Sequence, residues 1–163
     1  MNICGIDPGL KGGLAILDNG KVYGYPMPLS GKDINVMAIV ELLRSHRVDL
    51  VICEQVHAMP AKGMNGKNQG ITSTFTFGKG YGMVLGAVMA SGLPLELVTP
   101  QKWKSLTLQG TAKDKDAMIA FCRRRYPEVN LVPPRCRTAN DGIADAVGIL
   151  HYFYSLNIKK EVA

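Results

Sequence analysis

The hydrophobic pattern of this chain changes period along its length. Early on, short apolar runs are cut by breakers. Residues 2–7 close the run Ile3-Cys4-Gly5-Ile6 with Asp7, and the pair Pro8-Gly9 follows at once. Residues 12–17 form a second run, and Asp18-Asn19-Gly20 supplies a hairpin turn before a third run at 21–25. Three short strands joined by tight turns predict an antiparallel meander. Residues 30–47 then take a helical period, with Asp33 expected as the cap and Ile34, Met37, Ala38, Val40, Glu41, Leu42 and Leu43 along one side. Residues 49–54 are apolar without alternation until Glu54, as expected of a central parallel strand.

Residues 57–72 are rich in Gly, Asn and Lys, and read as a loop. Beyond them Gly78, Gly82, Gly86 and Ala90 recur every four residues, which on a helix makes a smooth stripe suited to close backbone packing. A phosphate-binding glycine loop would have to follow a strand, and this string does not. A short strand is expected at 93–98, and Thr99-Pro100 reads as a helix start, with Thr as cap and Pro in the first turn. Helices are expected at 113–126 and 140–156. The pattern as a whole predicts an α/β chain with a mixed sheet, and 163 residues fit one domain spanning 1–163. No internal repeat or linker interrupts it.

Against this pattern four carboxylates stand out. Asp7 and Glu54 end core strands, and Asp141 and Asp145 lie four residues apart at the head of an apolar helix. Charged side chains seldom enter a core unless they pair or bind metal. If the two strands are neighbours, about 4.8 Å apart, Asp7 and Glu54 reach one point. Asp141 and Asp145, at i and i+4, share a helix face. A set made only of oxygen ligands suits Mg²⁺, with Mn²⁺ as a substitute, and two such ions per site serve phosphodiester hydrolysis. The usual alternative for either helix aspartate alone is a solvated first-turn residue.

The net charge of +6 sharpens this picture by where it falls. Between Lys102 and Arg137 nine basic residues face three acidic ones, an excess equal to that of the whole chain. A one-sided cluster of this kind favours a polyanionic partner over a merely solvated face. Lys102, Lys104, Lys113, Lys115, Arg123 and Arg124 are the candidate nucleic-acid contacts, joined by His57, Lys62 and Lys67 in the loop. His46 and His151 read as structural. Cys4, Cys53, Cys122 and Cys136 are scattered without a CxxC pair, which predicts buried or free thiols in a reducing compartment. No apolar stretch approaches the roughly 20 residues that cross a bilayer, and no secretory signature precedes the first strand. A cytoplasmic setting follows, nucleoid or phage-infected, and an organellar source fits the same sequence.

These residues together resemble a known family. Gly5-Ile6-Asp7-Pro8-Gly9 with Gly12-Gly13, then Cys53-Glu54-Gln55-Val56, then Asp141-Gly142-Ile143-Ala144-Asp145-Ala146 is similar to the RuvC-like Holliday junction resolvases. The last segment is similar to the phage and organellar branches, while bacterial members space their final two acidic positions three apart instead of four. The resemblance covers nearly the whole chain. It implies an RNase H-like fold, a homodimer, and divalent-metal cleavage of four-way DNA junctions leaving a 5′ phosphate and a 3′ hydroxyl. It also implies Asp7, Glu54, Asp141 and Asp145 as the catalytic, metal-binding set. The loop after Val56 would probe the junction, with His57 standing where bacterial members carry an aromatic residue. Lys113 and Lys115 fall in the region of basic residues near the scissile phosphate.

Three other readings compete. A nuclease of the same fold would act on forks, flaps or RNA–DNA hybrids. An actin-like phosphotransferase also opens on a Gly-Ile-Asp strand, but needs a second phosphate loop and a second domain that this length does not hold. A non-catalytic junction-binding module would have no use for all four acidic residues.

Overall fold

A computed structural model describes residues 1–56 and 70–161, with side chains of the last helix described to 157. Five strands build the main sheet: β1 (Ile3–Asp7), β2 (Gly13–Asp18), β3 (Lys21–Pro26), β6 (Leu50–Glu54) and β7 (Leu95–Val98). Their order across the sheet is β3-β2-β1-β6-β7. The first three pair antiparallel, as the meander requires, while β6 and β7 run parallel to β1. Asn19 and Gly20 both adopt positive φ, 49° and 82°, which gives the turn a twist matching the strands it joins.

Five helices cover the two faces: α1 (Val36–Ser45), α2 (Ile71–Ala90), α3 (Pro100–Thr107), α4 (Lys115–Arg125) and α5 (Asp141–Glu161). Alternation along the strands sorts two cores. Cys4, Ile6, Val51 and Cys53 pack on the side of α1 and α2 with Ile39, Leu43, Val84 and Val88. Ile3 and Ile52 face the other way, into the core formed with Trp103, Met118, Ile143, Val147 and Leu150. Asp7 and Glu54, two positions on from Gly5 and Ile52, are thereby directed to the α5 side. Among the described residues, no helix is long and apolar enough to cross a membrane.

Three expectations need correction. The stretch 30–47 is not one helix. Leu29–Ser30 (β4) and Asp33–Ile34 (β5) form a two-stranded ribbon around Gly31, whose φ of 62° makes the turn. Asp33 therefore sits in a strand and pairs with Lys79, and Asn35 caps α1 instead, accepting from the Ala38 backbone N–H at 3.1 Å. The ribbon's backbone pairing and the Asp33–Lys79 ion pair take this stretch out of the helix, which starts later than its apolar period suggested. Second, Gly78, Gly82 and Gly86 do not pack against the described residues: a Cβ at any of them would meet nothing within 4 Å among these. The buried side of α2 is Gly80, Val84, Ala87 and Val88. Third, α2 begins at Ile71, inside the expected loop, and residues 57–69 of that loop lie outside the described residues. His57, Lys62 and Lys67 fall there.

The two described histidines are structural, as read. His46 bonds Tyr25 Oη at 2.7 Å and Asp18 at 2.8 Å, tying the end of α1 to the meander. His151 bonds Tyr126 Oη at 2.7 Å and Ser155 at 3.1 Å. All four cysteines are free thiols, three of them buried.

Candidate active site

Strand β1 pairs with β6 in a register that sets Ile6 level with Cys53, so Asp7 and Glu54 emerge side by side at the ends of the two central parallel strands. Helix α5 lies over them. It crosses β1 at Gly5, where a Cβ would stand 2.6 Å from the Ala146 carbonyl oxygen and 2.7 Å from the Leu150 nitrogen. That close crossing brings Asp145 down onto the two strand ends.

The electrostatics bear the marks of this convergence. Asp7 is pushed up to about 7, first by burial, then by the neighbouring charges of Glu54 and Asp145, against a favourable hydrogen bond from the Gly9 backbone. Glu54 and Asp145 are also raised, in each case chiefly by burial. Asp141 is different: half-exposed, it pairs with Lys115, and that hydrogen bond holds it below the ordinary carboxylate range. Three of the four candidate carboxylates therefore form one repelling group, and the fourth stands at its rim.

Helix α3 balances the charge. Its middle delivers two consecutive side chains to the group: Trp103 Nε1 donates to Glu54 Oε2 at 2.7 Å, and Lys104 Nζ stands 3.7 Å from Asp145 Oδ2. As the side chains stand, no three of the described histidines, cysteines and carboxylates close around a common point. The donor set nevertheless fits a hard divalent cation. It consists only of carboxylate oxygens, its members repel one another, and the positive charge now offsetting them comes from mobile lysine side chains.

The candidate DNA contacts spread over two sides. Lys104 and Lys115 touch the carboxylates themselves. Arg123 shares a groove of about 580 Å³ with Lys115, Arg137 and Asp141, between α4 and the segment leading into α5. Arg137 was not singled out from sequence, although it belongs to the same basic run. Lys113 and Arg124 are exposed nearby along α4 and its approach. Lys102 lies apart, in a groove with Glu96, Tyr152 and Asn157 near the far half of α5. Trp103 was missed altogether. The one available signal was a lone tryptophan directly before a lysine in a Pro-initiated helix, which does not say which carboxylate it would meet.

This architecture has known counterparts. The RuvC of Thermus thermophilus superposes with a TM-score of 0.62 at 20% identity, covering 96% of this chain and 97% of that one. The chain has the RuvC resolvase fold. The RuvC-type match extends to the Thermus protein in complex with a Holliday junction substrate (TM-score 0.61, 19% identity, 96% of each chain). The yeast mitochondrial Holliday junction resolvase Ydc2 matches at 0.50 and 13% identity over 99% of this chain and 84% of that one. In sequence, a crossover junction endodeoxyribonuclease RuvC of Brevibacillus brevis is 29% identical over 164 residues, covering 91% of this chain and 89% of the relative. No protein-family model matches the chain.

Proposed function

We propose that this chain is a structure-selective endonuclease that resolves four-way DNA junctions by paired phosphodiester hydrolysis. The observation that carries this reading is the convergence of Asp7, Glu54 and Asp145 under α5, close enough that burial and mutual repulsion push Asp7 to about 7. Its RuvC-type fold and its similarity to a named junction endonuclease over most of both chains support the same conclusion.

Asp7, Glu54 and Asp145, with Asp141 at the rim, would hold two divalent cations, Mg²⁺ with Mn²⁺ as a substitute. Bound there, the ions supply charge neutralisation at the scissile phosphate and a lowered pKa for water. The chain's own residues do the rest. β1 and β6 set the backbone positions of Asp7 and Glu54 at strand spacing, and only the side-chain torsions remain to be fixed. Lys115, 77% exposed, is able to leave Asp141 and meet an incoming phosphate, and Lys104 does the same from the Asp145 side. The groove with Arg123 and Arg137 would take the backbone of the strand leading away from the cut. The chain would act as a homodimer on branched DNA, two centres making two symmetric cuts, in the compartment that holds that DNA. The open stripe of Gly78, Gly82 and Gly86 on α2 leaves a flat helix face for the second copy.

The experiment is Mg²⁺-dependent cleavage of a labelled four-way junction beside fork, flap, linear-duplex and RNA–DNA hybrid controls. Symmetric paired nicks confined to the junction, with 5′ phosphate and 3′ hydroxyl ends, are expected. Equal cutting of forks and flaps would move the function to general branched-DNA processing, and no cutting at all would leave a binding protein. A second measurement addresses the basic surface. Replacing Arg123, Arg124 and Arg125 with alanine is expected to weaken junction binding and flatten the log–log salt slope by about 0.9 for each phosphate the protein no longer neutralises. An unchanged slope would return the basic end of α4 to a solvated surface.

A further inference from the structure

We propose that Trp103 is a positioning residue for Glu54, holding one carboxylate oxygen in place so that the other is presented to a divalent cation. The inference rests on the cation-dependent reading above and adds a residue to it. Trp103 is the chain's only tryptophan and is fully buried, yet its ring nitrogen reaches a carboxylate at the centre of the site. The Nε1–Oε2 distance of 2.7 Å is that of a short, charge-assisted hydrogen bond. Among the described residues it is the one side-chain donor to Glu54.

The indole is fixed from behind. A Cβ at Gly148 would stand 2.7 Å from Trp103 Cζ3, so the ring lies against the backbone of α5 where a side chain is missing. Gly148 is one turn beyond Asp145, and Thr107 Oγ1 donates to the Gly148 carbonyl at 3.1 Å, fastening α3 to the same point. Trp103 thus spans from the helix that carries Asp145 to the strand that carries Glu54. Its neighbour Lys104 reaches Asp145 itself and lies 4.9 Å from the indole centroid.

The two α3 side chains differ in what a cation does to them. An arriving divalent ion competes directly with the Lys104 ammonium, which sits on a flexible stem and can swing into water. The indole carries no charge, has no exposed position to move to, and donates to one oxygen only. Its hydrogen bond is therefore compatible with coordination through Oε1, and it holds the glutamate's three side-chain torsions in one arrangement before the ion arrives. Partners of this kind orient metal ligands and set their affinity, typically by a factor of about 10 to 100. The bland account is a buried indole that needs some acceptor for its N–H. That account predicts no effect of Trp103 on cation affinity.

The test compares the wild type with Trp103→Phe, which keeps most of the ring volume and removes the donor. Mg²⁺ and Mn²⁺ binding is followed by calorimetry, and the single indole N–H resonance of the wild type by ¹H–¹⁵N NMR. Expected are cation binding weakened about 10-fold or more in Trp103→Phe, and a wild-type indole proton protected from water exchange that shifts with Mg²⁺ in step with the heat signal. Equal cation affinity in the two proteins would overturn the positioning role while leaving the proposed function standing. Absence of cation binding in the wild type would overturn both. Should Trp103→Phe not fold, an indole resonance that exchanges freely or ignores Mg²⁺ would overturn the inference on the wild type alone.

Discussion

Replacing Asp7 with asparagine is expected to abolish Mg²⁺-dependent cleavage of a four-way junction, preserve binding to it, and raise the cation-free melting temperature at neutral pH. Loss of activity follows from removing the central charge of the carboxylate group, an effect of at least the roughly 10²- to 10³-fold that a single preorganised electrostatic group carries. Binding survives because a neutral amide takes away repulsion against phosphate. The gain in stability follows from linkage. The Asp7 carboxyl is raised from 3.8 to about 7 in the folded protein. Below pH 3.8 both states are protonated and the site costs nothing. As pH rises from about 4 to about 7 the unfolded chain ionises first, so folding stability falls, by an amount on the order of 4 kcal/mol before it levels off. Raised Glu54 and Asp145 add to the fall, and lowered Asp141 works against it. Asp7→Asn removes the largest share, so its melting temperature should depend less on pH across that window. Chemical denaturation at several pH values in chelator, beside a cleavage assay, checks both halves. Full cleavage by the variant, or wild-type stability that rises with pH between 4 and 7, would sink the assignment.

How much of this was legible beforehand depended on the kind of signal. Short unbroken apolar runs ended by carboxylates gave β1 and β6, because a buried strand and its end are both written locally, while their pairing entered only as a condition that the register of the two strands meets. The Asp18-Asn19-Gly20 turn was equally plain, since positive φ at two positions favours few residue pairs. The ribbon at 29–34 was hidden because its residues are compatible with a helix start, and only the tertiary pairing of Asp33 with Lys79 removes Asp33 from the cap. The stripe of α2 misled for the opposite reason: spacing shows that Gly78, Gly82 and Gly86 share a side, not that anything within the chain lies against it. Asp141 and Asp145 were seen as a pair on one helix face, but burial separates them. Asp145 is drawn into the repelling group and Asp141 out to Lys115. Trp103 could not be read at all, because its partner lies 49 positions away.

The glycines of the two acidic motifs are the other feature whose reason appears only in three dimensions, and Gly142→Ala is expected to be among the most damaging single methyls at the described positions. A Cβ at Gly142 would fall inside contact distance of the Lys11 carbonyl oxygen and of the Gly12 Cα, both rigid backbone. Gly13 meets the same approach from the other side, its Cβ standing 3.0 Å from the Ile143 nitrogen. The start of α5 therefore rests directly on the turn that follows Asp7, and no side-chain rotation can relieve the clash. The helix must lift, at a cost of about 3 kcal/mol for overpacking of this severity, equivalent to roughly 6 to 12 °C for a domain of this size. Because Asp141 and Asp145 ride on that helix while Asp7 stays with β1, cleavage should fall further than stability does. A displacement of about 1 Å at such a site is enough for a loss of roughly 10²-fold. Gly86→Ala supplies the contrast in monomer stability, since its methyl meets nothing within 4 Å among the described residues and a better helix former should add up to about 1 kcal/mol to the fold, whatever it does to the proposed contact with a second copy. Melting curves and single-turnover cleavage of the two variants, at a temperature where both remain folded, separate these effects. Normal cleavage by Gly142→Ala would mean that contact between α5 and the β1–β2 turn does not align the carboxylates.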